Sequence, residues 1–306
     1  MKQTSRQRWL VENEGRHHAV IRGWRRWFHF ENMPRLCKLL DFLLTVTCIK
    51  RIGRRGALAT RVNQVQMNFE NLPDAFDGTK ILFVSDFHID ALPELLPKII
   101  GIVGELDYDF CILGGDYGFD RHEVNVLAEQ LMLKIAETLT KKTPVFGVLG
   151  NHDHYSMGEM LESSGVKMLV NDGDAIERDG QKLCIAGIDD CHYYGADDVA
   201  AAGENLDDDA FGIMVSHSPE PYKKIQQAGF DLCLSGHTHG GQICLPGGIV
   251  VVANTTARRY MLKGKWKYRD MQGYTSTGVG SSGVPVRFFC KPEVALITLC
   301  CTNNSS

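Results

Sequence analysis

Six short apolar runs in this chain stop abruptly at residues that bind metals or move protons. Ile81–Val84 runs into Ser85-Asp86-Phe87-His88, Phe110–Leu113 into Gly114-Gly115-Asp116, and Val145–Leu149 into Gly150-Asn151-His152-Asp153. Leu183–Ile188 runs into Asp189-Asp190, Ile213–Val215 into Ser216-His217, and Leu232–Leu234 into Ser235-Gly236-His237-Thr238-His239. Asp, His and a single Asn suit hard-to-borderline divalent ions such as Mn, Fe or Zn. No Cys-x-x-Cys spacing occurs, which disfavours a structural zinc site of the thiolate type. There are too many donors for one ion. Two ions about 3.5–4 Å apart, bridged by one carboxylate and a hydroxide, would use them all. Such a pair lowers the pKa of bound water to about 7 and favours attack at phosphorus, where charge on several oxygens must be neutralised.

Donors so far apart in sequence need a scaffold that gathers them. The apolar runs do not alternate with polar residues, as suits strands buried on both faces. Helical patterns lie between them, clearest at 91–106 and 122–140 and shorter at 219–229, where Pro stands near the start and Gly at the end. Strands alternating with helices predict a layered α/β fold, in which ligands bind beyond the carboxyl ends of the strands. Residues 62–70 alternate at Val65, Met67 and Phe69 like a half-buried strand. In the last quarter, 249–252, 274–278, 286–289 and 294–299 read as strands without helices between them. They predict a second sheet packed on the first.

The motifs Asp86-Phe-His88, Gly115-Asp116, Gly150-Asn-His-Asp153, a lone His217 and Gly236-His-Thr-His239 occur in that order. Together they resemble the calcineurin-like metallophosphoesterases over roughly residues 62–300. The ending Gly278-Val-Gly280…Pro285-Val-Arg287-Phe…Pro292-Glu293 looks like the bacterial subgroup of small, often membrane-associated phosphodiesterases. The resemblance implies a four-layer αββα sandwich with two mixed β-sheets. It implies that Asp86, His88 and His239 hold a first metal, that Asn151, His217 and His237 hold a second, and that Asp116 bridges them. It implies that His152 lies beside the substrate and helps protonate the leaving oxygen, and that Asp153 orients His152 or its loop. One departure stands out. The family pattern Gly-Asp-x-x-Asp falls here on Phe119, with Asp120 one position later.

The first part of the chain has a different character. Of the 306 residues, 44% are hydrophobic and 23% charged, which is ordinary globular composition. Residues 1–66 carry 14 Lys+Arg against 4 Asp+Glu, a net of +10, while the remaining 240 carry 19 against 33, a net of −14. Trp9, Trp24 and Trp27 lie in the basic part. Leu36, Leu39, Leu40, Leu43 and Leu44 recur at helical spacing, and Lys50, Arg51, Arg54 and Arg55 follow. An amphipathic helix with aromatics and positive charge suits the surface of an anionic membrane. No run of 18 apolar residues exists to span one. Two further readings of this part are a helical cap on the main domain and an export signal, with Arg25-Arg26 before the apolar stretch and Ala57-Leu-Ala59 after it. The ten cysteines, several inside apolar runs, read as free thiols of a reducing compartment.

The division expected is therefore a basic amphipathic helical appendage over 1–61 and a catalytic domain over 62–306. The function expected is dinuclear-metal hydrolysis of a phosphodiester or pyrophosphate by a metal-bridging hydroxide. The substrate would be lipid-linked or small, and the protein cytoplasmic, at the inner face of the membrane. One concrete version is UDP-2,3-diacylglucosamine pyrophosphatase, since family members with that activity share the motif set. A nuclease is disfavoured because the −14 part repels phosphate backbones, so no nucleic-acid partner is expected. A non-catalytic scaffold is disfavoured because all seven ligand positions carry suitable residues. Elsewhere the plain readings stand. His17, His18, His29 and His122 read as structural or solvated, Asp189, Asp190 and His192 as a capped turn, and Asp207–Asp209 as a solvated run. Arg258-Arg259 reads as surface. For Arg287 an ion pair and a substrate contact weigh equally, and His154 reads as pocket lining or solvated.

Overall fold

The computed structural model describes residues 6–14, 34–119, 125–204 and 210–302. Its frame is two six-stranded sheets. The first takes β1 (Arg61–Phe69), β12 (Glu293–Cys301), β2 (Lys80–Val84), β3 (Phe110–Leu113), β4 (Val145–Gly147) and β5 (Lys167–Met168), in that spatial order. The second runs β10 (Gly264–Tyr268), β11 (Met271–Thr275), β9 (Leu232–Ser235), β8 (Phe211–Val215), β7 (Gln181–Gly187) and β6 (Asp172–Arg178). Both are mixed. β2 to β5 are parallel, as are β7, β8, β9 and β11, whereas β12 meets β2, β6 meets β7 and β10 meets β11 antiparallel.

The unalternating runs have their reason in this layering. Successive side chains of a strand point to opposite faces, and here both faces are covered. From β2, Ile81 and Phe83 enter the cluster between the sheets, while Leu82 and Val84 pack under the outer helices. From β3, Phe110 and Ile112 go inward and Cys111 and Leu113 outward. Phe69 and Phe211 close the layer from opposite sheets, edge to face at 4.8 Å. The outer helices of the first sheet are α4 (Leu95–Glu105), α5 (Val126–Thr140) and α6 (Tyr155–Ser163). α5 buries Leu131, Met132, Ile135, Ala136 and Leu139, and its Asn125 cap accepts from Ala128 N–H at 3.0 Å. α7 (Val199–Ala202) and α8 (Tyr222–Gln227) cover the second sheet with Trp266 and Tyr222. Helix–sheet–sheet–helix is the architecture expected.

The last quarter departs from its reading. Residues 249–252 and 286–289 are not strands: each side supplies only an isolated bridge, Leu245 with Ile249 and Ile243 with Phe288. Ile249, Val251, Val252 and Phe289 are exposed, while Val250 joins Cys244, Leu262 and Cys290 in a small satellite cluster. Nor does the last strand belong to a second sheet. β12 returns to the first, between β1 and β2, and the second sheet begins at β6.

Before β1 come α1 (Arg6–Glu14), α2 (Pro34–Val46) and α3 (Lys50–Ala57). α3 lies on the main body. A side chain at Gly53 would collide with Val286 and Phe288, and Gly53 O accepts from Arg287 N–H. No helix among the described residues is long and apolar enough to cross a membrane.

Candidate metal centre

β2, β3 and β4 end at the same edge of the first sheet, and β7, β8 and β9 at the adjoining edge of the second. The turns beyond them bring Asp86, His88, Asp116, Asn151, His217, His237 and His239 together, all buried. Reaching that place strains the chain. Asp86 (φ 55°), His88 (φ 36°), Asp116 (φ 56°), His237 (φ 67°) and His239 (φ 49°) are all left-handed. Such conformations cost of order 1–3 kcal/mol each and cluster at functional sites. Glycine admits the close approaches: a Cβ at Gly150 would stand 2.2 Å from Asp116 Oδ1, and one at Gly278 2.6 Å from Asp86 Cβ.

The donors fall into two groups. Ligand atoms of Asp86, His88 and His239 lie within 4.8 Å of one another, and so do those of Asp116, His217 and His237. Asn151 completes the second group, its Oδ1 2.8 Å from His237 Nδ1 and 3.2 Å from His217 Nε2. Asp116 stands between the groups, with Oδ2 3.2 Å from His217 Nε2 and 3.5 Å from His88 Nε2. A carbonyl can only accept, so His88 Nδ1–H donates to Gly118 O (2.9 Å), His217 Nδ1–H to Gly114 O (2.8 Å) and His237 Nε2–H to Asn254 O (2.7 Å). In each ring the nitrogen left over faces the cluster. That is how ligating histidines are oriented from behind. The donor set and its orientation fit two divalent ions.

His152 projects beside the first group, its ring 4.9 Å from that of His88. Its Nδ1–H donates to Phe119 O (2.6 Å), while its buried Nε2 has no hydrogen-bond partner among the described residues. A buried polar atom without a partner calls for an explanation. Asp153 does not bond to His152. Its carboxylate takes the backbone N–H groups of Asp116 (2.7 Å), Tyr117 (2.7 Å) and Gly150 (2.8 Å), tying the third loop to the second. His152 N–H donates to Asp116 Oδ1 at 2.9 Å.

Electrostatics follow from burial and opposed charge. Burial raises Asp116, but His217, His152 and His88 outweigh it and hold the carboxyl well below the usual range. Burial pushes His217 down, yet Asp116 prevails and lifts it to about 10. Burial dominates at Asp86, raised to about 6, and at His88, lowered to about 3. Asp153 is also raised to about 6 by burial, with Asp116 adding to it.

The remaining sequence candidates divide. Asp190 is a cap, accepting from the N–H groups of His192, Tyr193 and Tyr194. His192 reaches the cluster, its ring 4.3 Å from that of His237, and pairs through Nδ1 with Glu220 Oε1 at 3.1 Å. Burial opposes ionisation of Glu220, but the His192 hydrogen bond and charge hold it at about 2. His154 lines a small pocket beside His152 with Gly118, Asn125 and Met157. Arg258 donates to Tyr222 and Arg259 to Val250 O, away from the donors. Arg287 is buried and donates to the carbonyls of Thr277, Gly280 and His239, and its Nη2 lies 3.2 Å from His239 Nδ1; among the described residues it forms no ion pair. Phe119, where the family pattern has its acid, leaves its N–H to Asp90 Oδ1 at 2.8 Å. Asp120, His17, His18, His29, His122, Trp24, Trp27, Arg25, Arg26 and Asp207–Asp209 lie outside the described residues. Sequence reasoning missed Arg8, Glu220 and Asn254. None stands in a motif, and each acts through a partner distant in the chain.

Comparison with known proteins agrees with this geometry. The profile of the family described as calcineurin-like phosphoesterase matches residues 79–241. The chain is 30% identical over 240 residues to the metallophosphoesterase YkuE of Bacillus subtilis (strain 168), covering 76% of this chain and 82% of that one. It is 29% identical over 229 residues to the phosphodiesterase YaeI of Escherichia coli (strain K12), covering 72% and 82%. It is 27% identical over 253 residues to the metallophosphoesterase YkoQ of Bacillus subtilis (strain 168), covering 79% and 91%.

Proposed function

The chain belongs to the calcineurin-like phosphoesterase family and is a metal-dependent phosphoesterase, and from that premise we propose that it hydrolyses a phosphodiester or pyrophosphate in a substrate met at a membrane surface. One observation carries the site assignment. A single carboxylate oxygen of Asp116 lies within 3.5 Å of a histidine from each donor group, and the orphaned Nε2 of His152 stands beside them. Asp86, His88 and His239 are assigned to one ion, Asn151, His217 and His237 to the other, and Asp116 to both. Bound divalent ions, of which Mn, Fe and Zn all suit these donors, supply Lewis acidity and bring the pKa of water down to about 7.

The chain's own residues do the rest. His152 has Nδ1–H committed to Phe119 O. The nitrogen it turns to the leaving oxygen is therefore Nε2, from which a proton would pass. Before transfer the same N–H steadies charge on a phosphate oxygen. Asp153 is a positioning residue, since its oxygens hold the loops of Asn151 and Asp116 in fixed relation. A diester is favoured because the relative YaeI is named a phosphodiesterase.

The membrane reading draws on α2 and its neighbours. Leu39, Phe42, Leu43 and Val46 are each half exposed or more. Lys38, Arg51 and Arg55 are exposed nearby. The adjoining loops expose Leu245, Ile249 and Phe289. Ten cysteines, none of them in a disulfide, fit a cytoplasmic site. We propose 62–306 as the catalytic domain and 1–61 as a basic helical appendage that packs on it through α1 and α3.

The test is hydrolysis by the purified Mn-loaded protein of UDP-2,3-diacylglucosamine beside bis(p-nitrophenyl) phosphate, with Asp116→Ala as control. Lipid-nucleotide turnover far above that of the aryl diester supports the lipid-linked pyrophosphate. Turnover of the aryl diester alone, lost in Asp116→Ala, keeps the phosphodiesterase and removes the lipid nucleotide. A protein that takes up no metal is the scaffold instead.

A further inference from the structure

Arg8 lies in α1, outside the region the family profile matches, yet it is fully buried. Its guanidinium is committed on every side. Nε donates to Asp189 Oδ1 at 2.8 Å, and Nη2 lies 2.7 Å from the same oxygen. Nη1 donates to Asp153 O at 2.5 Å and Nη2 to Gly150 O at 3.1 Å. The Tyr194 ring stacks 3.9 Å from Cζ, and Tyr194 O–H donates to Asp153 O at 3.3 Å. One turn further, Glu12 accepts from Tyr155 N–H at 3.1 Å and lies 3.6 Å from His154 Nδ1.

These contacts converge on one segment. The two carbonyls that Arg8 takes, Gly150 and Asp153, bracket Asn151 and His152. A buried loop carbonyl has no ladder to satisfy it and needs a donor from elsewhere. A planar, permanently charged fork with several fixed N–H groups reaches two carbonyls and a carboxylate at once, which an ammonium cannot. Burying a cation is costly, and a buried ion pair is weak evidence of net stability. The geometry it imposes on a loop is the better account of its presence.

We propose that Arg8 is a positioning residue of the active site, clamping the backbone on both sides of Asn151-His152 and so fixing the Asn151 donor and the His152 Nε2. It makes α1 part of the catalytic apparatus. The proposal rests on the phosphoesterase reading of the site.

The experiment compares the full-length wild type with Arg8→Ala and Arg8→Lys by three readouts. They are Mn stoichiometry and affinity by titration calorimetry, kcat and KM on bis(p-nitrophenyl) phosphate, and Tm. In Arg8→Ala, kcat falls at least tenfold with KM within twofold, and the weaker Mn site loses at least tenfold in affinity while the tighter one holds. Arg8→Lys recovers part of both. A lowered Tm with wild-type kcat and both Mn affinities intact overturns the proposal, because α1 is then only packing. A raised kcat overturns it too, as an inhibitory strap. Should Arg8→Ala not fold, Asp189→Asn removes the counter-charge of the clamp. The same loss of kcat and of the weaker site is expected there, and wild-type behaviour overturns the proposal. An unmutated chain that binds no Mn sinks the phosphoesterase reading and this inference with it, and is told apart by appearing without any substitution.

Discussion

At the scale of single residues, the proposed mechanism separates groups that hold charge from one that moves a proton, and it assigns the proton transfer to His152. Its ring is anchored at Nδ1 by Phe119 O, its Nε2 has no partner among the described residues, and it belongs to neither donor group. In His152→Ala, kcat on an aryl phosphodiester is expected to fall about 10²–10⁴-fold, the usual worth of positioned acid–base catalysis. Metal content by elemental analysis should stay at the wild-type value, and a parallel loss of metal would contradict the assignment. Asp116→Ala is expected to differ in kind. It removes the oxygen that both groups face, so metal content and turnover should fall together, and retention of two ions per chain would sink the bridging role. These residues were legible because Asp, His and Asn at the ends of apolar runs announce metal chemistry by type alone. Asn254 and Arg8 were not legible. Asn254 acts through its backbone carbonyl, which any residue has, and Arg8 meets Asp189 across 181 positions of chain.

At the scale of elements, the turns are more informative than the strands they follow. β2, β3, β8 and β9 were readable because both faces are buried and the runs stay apolar throughout. Residues 249–252 and 286–289 are also rich in apolar residues but form irregular loops that leave Ile249, Val251 and Phe289 exposed, so apolar content alone fixes neither the ladder nor burial. β12 could not be assigned to its sheet, since pairing with β1 and β2 is decided by contacts more than two hundred residues apart in sequence. The left-handed Asp86, His88 and Asp116 were also invisible, because Asp and His adopt positive φ more often than most residues but still in a small minority of cases. Gly278 shows what such a turn requires. Its φ is 73° and a Cβ there would stand 2.6 Å from Asp86 Cβ. Gly278→Ala is expected to destabilise the fold by about 1–3 kcal/mol through strain at a special φ and to weaken the Mn affinity of the group containing Asp86. Calorimetric unfolding and Mn titration measure the two effects. Unchanged affinity with a lowered Tm would leave the strain and remove the link to Asp86.

At the scale of the whole molecule, a catalytic edge and an apolar, basic face share one chain, and their coupling is a matter of charge. The net of −14 beyond residue 66 repels an anionic surface, whereas the net of +10 before it attracts one. The molecule should therefore bind such a surface only through its N-terminal side. There the exposed Leu39, Phe42, Leu43 and Val46 of α2 supply apolar area, and Lys38, Arg51 and Arg55 supply charge. A juxtamembrane Lys or Arg is worth about 1 kcal/mol at an anionic surface, and burying one large apolar side chain about 1.5–3 kcal/mol. On the proposed membrane reading, removing two of the four apolar groups should weaken binding sharply. Phe42→Ser/Val46→Ser is expected to lower partitioning onto phosphatidylserine-containing vesicles at least tenfold in a sedimentation assay. Its kcat on a water-soluble aryl diester should stay at the wild-type value, because the metal cluster and His152 lie on the strand-end edge and not on α2. Raising salt from about 50 to 500 mM should release the wild type in part, since the Debye length shrinks below 10 Å while the apolar contribution persists. Vesicle binding equal in variant and wild type would remove α2 from the interface and leave the soluble activity as the whole of the function.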